Sequence, residues 1–323
     1  MRSLDFSRYA LSGVAAAMLA GCGGSQPPIG APGAMPQTSA IATHAERGKS
    51  WMLPEAKGDL VYASGGCGGV CVFTYPGAKL EASISLTFPV GGVCSDSSGN
   101  VFVTNNAQVL EYAHGATTPL ATLSLPSSSG ACGVDPKTGD LAVTCCGGSA
   151  GNVAIFANAT GTPTLYNAGN GASYLGYDNN GNLFVSGYIN DKNALAELPH
   201  GSSSFIPITI NGKSGGPGQV QWDGSRITLE NQRDHISIAR LDIAGSAASV
   251  VGKTKLKGPK WGAQSWIAGN RVVTPFSSRG GITNNIGIWN YPTSGKIVVN
   301  FGDFGQTPNT RILGVTISVA PSR

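Results

Sequence analysis

Seven cysteines, four histidines and one short charged run hold most of the chemistry open to this 323-residue chain. Cys22 ends the segment Leu19-Ala20-Gly21-Cys22, the pattern of a bacterial lipobox, and would become the diacylated first residue of a mature lipoprotein. Six more follow: Cys67, Cys71, Cys94, Cys132, Cys145 and Cys146. An even count in an exported chain points to disulfides, and six cysteines allow 15 connectivities. Gathered thiolates are also soft ligands for zinc or copper(I), yet no Cys-x-x-Cys pair occurs and no histidine lies among them. Disulfides, a thiolate metal or redox site, and free thiols all stay open at this point. The run Glu230-Asn231-Gln232-Arg233-Asp234-His235 puts an acid, a base and a cation into one loop, where general acid–base chemistry can be drawn. Gly147-Gly148-Ser149-Ala150-Gly151 fits the Gly-x-Ser-x-Gly pattern of a nucleophile elbow, but that motif needs a strand-to-helix turn and this one joins two strands.

The elements that must position these groups show themselves through a repeat. A Gly, followed by Asn, Asp or a substitute and then a β-branched run, recurs at Gly58, Gly99, Gly139, Gly181, Gly224 and Gly269, at intervals of 41, 40, 42, 43 and 45 residues. That period is the length of a four-stranded propeller blade, so an all-β, six-bladed β-propeller is expected over residues 51–323. In the second repeat, strands are expected at 90–94, 101–104, 109–112 and 119–125, and the third and fourth repeats copy the pattern. The turn Asp-x-x-Gly-Asn follows from conformation: Gly supplies a positive φ, and the Asp side chain accepts backbone N–H groups further on. Asp178-Asn179-Asn180-Gly181-Asn182 also looks like the start of a calcium loop, but Leu183 stands where that loop needs Gly and Ile189 where it needs Glu, so a turn is expected. The first repeat lacks its innermost strand. Ile312-Leu313-Gly314-Val315-Thr316-Ile317 is similar to Val90-Gly91-Gly92-Val93-Cys94-Ser95, so the tail is expected to complete the first sheet and leave no open edge.

Ahead of the repeats, Arg2 and Arg8 flank an apolar stretch from Ala10 to Ala20 that is too short to span a bilayer, which makes residues 1–21 a lipoprotein signal peptide. Residues 22–50, rich in Gly, Pro, Ser and Ala, are expected to be a flexible tether reaching roughly 30 Å. His44 lies in it and needs no role. Without Arg2, Arg8 and Asp5 the chain has 19 basic and 16 acidic residues, a net charge of +3 that is too small and too dispersed for nucleic acid. The expected setting is the bacterial cell envelope, outside the cytoplasm, with a membrane contact through the lipid, no cofactor, and a monomeric state.

The repeated turn with Gly-Asn-Leu-Phe-Val resembles the NHL-type six-bladed propellers and, more broadly, bacterial secreted propeller lipoproteins. Trp51 to Lys57, Glu111-Tyr112-Ala113-His114-Gly115, Val220-Gln221-Trp222-Asp223-Gly224 and Trp289-Asn290-Tyr291-Pro292 are similar to segments of a group of uncharacterised lipoproteins from soil bacteria. The resemblance covers about residues 52 to 320 and carries no assigned activity.

With that architecture, the start of the first strand and the end of the second share one face, so all six cysteines are expected on one side of the first three repeats. Cys132 should face Cys145 and Cys146 across the hairpin, and Cys67 should pair with Cys71. His114 and His200 read as surface loop histidines on the opposite face, while His235 sits on the cysteine face. Six residues after each turn Gly come Ser64, Asn105, Cys145, Gly187, Glu230 and Pro275; one further on come Gly65, Asn106, Cys146, Tyr188, Asn231 and Phe276. Asn105, Asn106, Tyr188, Glu230, Asn231, His235 and Phe276 therefore form the candidate binding face, suited to a carbohydrate, peptide or protein ligand. Propeller lactonases of the gluconolactonase type hold a central divalent metal in such a channel with several acidic and amide ligands. Glu230 is the single carboxylate in the two rows, which is low charge for a hard cation. Binding or scaffolding is the expected role, with a metal-dependent lactonase or lyase as the alternative; no catalytic residue is assigned.

Overall fold

The computed structural model describes residues 58–87, 90–146, 152–169, 171–190, 192–212, 216–232, 235–279, 281–302, 304–305 and 311–321. The signal peptide, Cys22, the tether with His44, the Gly147–Gly151 motif, Arg233 and Asp234 lie outside these residues. Strands β1 (Leu60–Gly65), β2 (Gly69–Thr74) and β3 (Leu80–Ser85) form the first run. The second is β4 (Val90–Ser95), β5 (Val101–Asn105), β6 (Gln108–Tyr112) and β7 (Ala121–Ser124). The third is β8 (Ser129–Val134), β9 (Leu141–Cys145), β10 (Val153–Phe156) and β11 (Thr164–Tyr166). The fourth is β12 (Gly171–Tyr177), β13 (Leu183–Ile189), β14 (Lys192–Leu198) and β15 (Ile206–Asn211). β16 (Val220–Trp222), β17 (Ile227–Asn231), β18 (Ser237–Ala244) and β19 (Ala247–Lys257) make the fifth. The last comprises β20 (Trp261–Gly262), β21 (Trp266–Ala268), β22 (Arg271–Ser277), β23 (Asn285–Asn290), β24 (Gly295–Lys296) and β25 (Val299–Phe301), and β26 (Ile312–Ser318) ends the chain.

The result is an all-β propeller. In the first five runs consecutive strands pair antiparallel; in the last, β20 and β21 both pair with β22, which pairs with β23, and β23 with β25. The turns follow the expected chemistry. Gly99 and Gly181 take φ of 86° and 84°, which lets the chain reverse between the first two strands of their runs. Asp96 Oδ1 accepts the N–H groups of Ser98 and Asn100, and Asp178 Oδ1 those of Asn180 and Asn182. These carboxylates are thus occupied by their own turns.

β26 pairs with β1 from Leu60↔Ser318 to Ser64↔Gly314, so the tail supplies the inner strand that the first repeat lacks. Its apolar side chains finish the core there: Ile312, Val315 and Ile317 pack with Val61, Ala63 and Phe73 from the first run and Val273, Ile286 and Ile288 from the last. Full burial of each such side chain contributes about 1.5–3 kcal/mol. His114 joins the same seam. It is buried, with Nδ1 2.7 Å from Ser318 Oγ and Nε2 3.2 Å from the Gly58 carbonyl, and so corrects the reading of a surface histidine; His200 is exposed. The loop bearing His114 folds inward because Gly115 N–H donates to the buried Tyr62 hydroxyl at 2.8 Å.

One departure from separate small sheets comes from the outer edge. β19 is 11 residues long and its start pairs parallel with β15 (Thr209↔Ala247 to Asn211↔Ser249), while its end pairs with β24. The fourth and fifth runs thereby merge, with β24 from the last run, into a nine-stranded sheet. The cause is the β18–β19 hairpin: Ser237 to Ala244 extends past the inner strands and lays Ala247–Ser249 along the free edge of β15.

Candidate functional site

At one end of the central channel the heads of the inner strands converge, and small residues permit it. A Cβ on Gly92 would lie 2.7 Å from Gln264 Oε1 and 2.8 Å from Ala131 Cα, so a larger residue there would push adjacent inner strands apart. Gln264 closes the space below. Its Nε2 donates to the Val93 carbonyl at 2.7 Å and its Oε1 accepts from Val93 N–H at 3.3 Å, while its backbone N–H and carbonyl bond Leu313 and Val315. One buried amide side chain thus fastens the last run and β26 to β4. Above it opens a cavity of about 370 Å³ whose lip carries Tyr174, Tyr188, Gln232, Trp261 and Arg311.

The side chains beneath this mouth are polar and in register. Ser64, Thr104, Thr144, Ser186 and Thr274 occupy matching places on the second strand of five runs, all buried, and each hydroxyl bonds a backbone carbonyl. Ser186 reaches the Gly218 carbonyl of the next run at 2.7 Å, and Thr104 the Gly130 carbonyl at 2.6 Å, so the hydroxyls stitch neighbouring runs together. In the fifth run the same place holds Glu230.

Glu230 is 1 % exposed. Burial pushes its carboxyl up to about 7, against the opposite pull of the Gln232 amide, the Ser265 hydroxyl, the Gln219 backbone and the Thr274 hydroxyl. Oε2 accepts from Gln232 Nε2 at 3.2 Å, and Oε1 has no well-formed hydrogen bond. Gln232 continues outward: its Oε1 accepts from the Tyr174 hydroxyl at 2.7 Å. Burial, then the nearby Glu230, raises that phenol to about 12, so it stays a donor at any physiological pH. Tyr174, Gln232 and Glu230 therefore form a hydrogen-bonded chain from the channel mouth to a buried acid.

A second, more open cavity of about 920 Å³ adjoins the mouth and shares Gly130, Ser173 and Tyr188 with it. Its walls carry Ser129, Thr144, Asn152 and Asn167 along the seam of the third and fourth runs, together with Cys145 and Cys146. All six described cysteines are paired. Cys67 joins Cys71, as expected, and Cys145 joins its neighbour Cys146. Cys132 does not face that end. It lies opposite Val143 in the ladder, buried between runs, and bonds Cys94 on the adjacent inner strand with Cα atoms 5.7 Å apart. The expectation compared cysteines within one hairpin, whereas inner strands of successive runs lie close enough to be bridged.

Of the anticipated binding face, only Tyr188 stands at the mouth. Asn105 and Asn106 line a separate hollow with Thr87, Gln108 and Leu125 that shares no residue with the channel. Asn231 serves its own loops, accepting Gly216 N–H at 3.0 Å and donating to the His235 carbonyl. His235 is exposed, and its backbone N–H donates to the Lys260 carbonyl. Phe276 belongs to the core, edge-on to Trp289 with centroids 5.4 Å apart. The count from the turn Gly misaligned the rows, because the first and fifth repeats carry one more residue before the matching position. Tyr174, Gln232, Trp261, Gln264 and Arg311 escaped it because the mouth is built mainly from the heads of first strands. The similarity of Val90–Ser95 to the tail was the available signal for that layer.

Among the described residues no group of three or more His, Cys, Asp and Glu is placed to hold a metal ion, and no helix is long and apolar enough to cross a membrane. No family model matches the chain, and no curated protein matches it. Solved structures do. A nidogen/laminin complex chain superposes with a TM-score of 0.64 at 13% identity, covering 82% of this chain and 100% of that one. A protein of unknown function from Bacteroides caccae gives 0.61 at 12% identity, covering 81% and 99%. The β-propeller domain of Cps50 (Swd1) from Myceliophteria thermophila gives 0.54 at 10% identity, covering 81% and 88%. At such identities the likeness is one of fold.

Proposed function

We propose that this chain is an exported, lipid-anchored, six-bladed propeller that binds a ligand at the channel mouth. Five sheets are described, and reading the nine-stranded one as two blades joined along β15 and β19, with β26 as the inner strand of the first blade, supports a count of six. The lipobox at Leu19–Cys22 and three disulfides support a place outside the cytoplasm, in the bacterial cell envelope. The observation that carries the binding reading is the mouth itself, where aromatic rings, amides and one guanidinium converge on an open cavity above a sealed, hydrogen-bonded floor. Phenols, amides and a cation suit recognition more than a hard divalent ion, which weighs against the lactonase or lyase alternative. Two measurements test the proposal. Mass spectrometry of the mature protein should find a diacylglycerol on Cys22, and Cys22→Ser should release it from membranes. Glycan and peptide panels probed with the full-length protein should give a signal that Trp261→Ala removes; binding to no member of either panel would refute the binding reading.

A further inference from the structure

The mouth holds a positive charge that is in no ion pair among the described residues. Arg311 immediately precedes β26, is exposed, and lines the cavity of about 370 Å³. Among the described residues the ion pairs are Lys79 with Glu81 and Arg240 with Asp223; Arg311 has none. The carboxyl behind Gln232 is buried one layer below and is engaged there. Around Arg311 stand Tyr174, Tyr188 and Trp261, the last two 38 % and 36 % exposed, and the amides of Gln232 and Gln264.

Each group specifies part of a ligand. A guanidinium forks onto a carboxylate. Exposed aromatic faces cover flat, weakly apolar rings. The adjoining groove extends the surface away from the charge, past Gly130, Ser173 and Asn190, and the Cys145–Cys146 disulfide adds a soft, polarisable patch. Among the described residues that lining carries no carboxylate, and Arg311 is the cation at one end. A peptide would need apolar side-chain pockets or a free strand edge; the inner strands β4, β8 and β12 are instead paired on one side and packed against one another.

We propose that the channel mouth and its groove bind an acidic saccharide, with the carboxylate of a uronate ring on Arg311, the ring against Trp261 and Tyr188, and neighbouring sugar units running toward Cys145–Cys146. The inference rests on the reading of the protein as a ligand-binding propeller and names the class of ligand.

The test is calorimetric titration of the full-length protein with short oligogalacturonates and with the same oligomers fully methyl-esterified, which keeps the ring and removes the charge. The acid form should bind, its ester about tenfold or more weakly, and added salt should weaken the acid alone. Arg311→Gln should erase the difference between acid and ester, with an unchanged melting temperature because the side chain is exposed, and Trp261→Ala should weaken both. Equal affinity for acid and ester, or full acid affinity in Arg311→Gln, overturns the proposal. So does Arg311-dependent binding of an acidic peptide in preference to the uronates, which would assign the mouth to a different partner. If uronates fail while a neutral glycan or a peptide binds in a Trp261-dependent way, this inference falls and the binding function stands; if nothing binds, both fall.

Discussion

Glu230→Gln should remove a pH dependence of stability that the wild-type protein carries. The folded carboxyl titrates at about 7 and the unfolded one at about 4.5, so folding takes up a proton between these values. Below pH 4.5 the group is protonated in both states and has no effect. As pH rises the unfolded state ionises first, and the folded state loses stability until its own carboxyl ionises near pH 7. A separation of roughly 2.5 units at about 1.36 kcal/mol each gives a total loss of about 3 kcal/mol. Glutamine keeps the oxygen that accepts from Gln232 and cannot ionise. The assay is urea unfolding of both proteins at intervals from pH 4.5 to 8, disulfides intact, read as the difference in unfolding free energy. Every other titrating group is common to both chains and cancels. The variant should gain on the wild type from pH 4.5 to about 7 and hold the gain of about 3 kcal/mol to pH 8. A difference constant to within about 0.5 kcal/mol would show that the carboxyl is not held as described, and so refute the account of the buried layer.

Three further outcomes follow from the geometry. Gln264→Leu should cost about 2–4 kcal/mol, measured by the same denaturation, because it leaves the buried Val93 N–H and carbonyl without their partner. Cys94→Ala with Cys132→Ala opens a link across 38 positions and should lose about 4 kcal/mol on chain entropy, whereas Cys145→Ala with Cys146→Ala, a link between neighbours, should leave the melting temperature within a degree or two; circular dichroism separates them. Deleting residues 310–323 strips β1 of its inner partner and should abolish the single cooperative transition, which an unchanged melting curve would contradict.

The repeat was legible because its turns are governed by local rules. A positive-φ Gly and an Asp that caps its own backbone must recur wherever the reversal recurs, and the strands between them announce themselves by β-branched runs. The tail strand was legible for the same reason, through its likeness to 90–95. The mouth was not. Which residues meet at the axis depends on register: one added residue in the first and fifth repeats shifts Glu230 into line with Thr104 and Ser186 rather than with Asn105. Likewise, Cys94 and Cys132 are bridged by the spacing between runs, a distance that no pattern within a single hairpin contains. Phe276 looked like a rim aromatic until its ladder position turned it onto Trp289.

The pairing of β1 with β26 also dictates an order of events. Ser64 and Gly314 bond across 250 positions, a closure that costs about 5 kcal/mol of chain entropy before any contact rewards it. The leading sheet therefore waits, three-stranded and with an unpaired edge, until residues 312–318 have been made. A chain emerging head first spends its synthesis time with that edge available to other strands, so a shielding chaperone would matter most to residues 60–64.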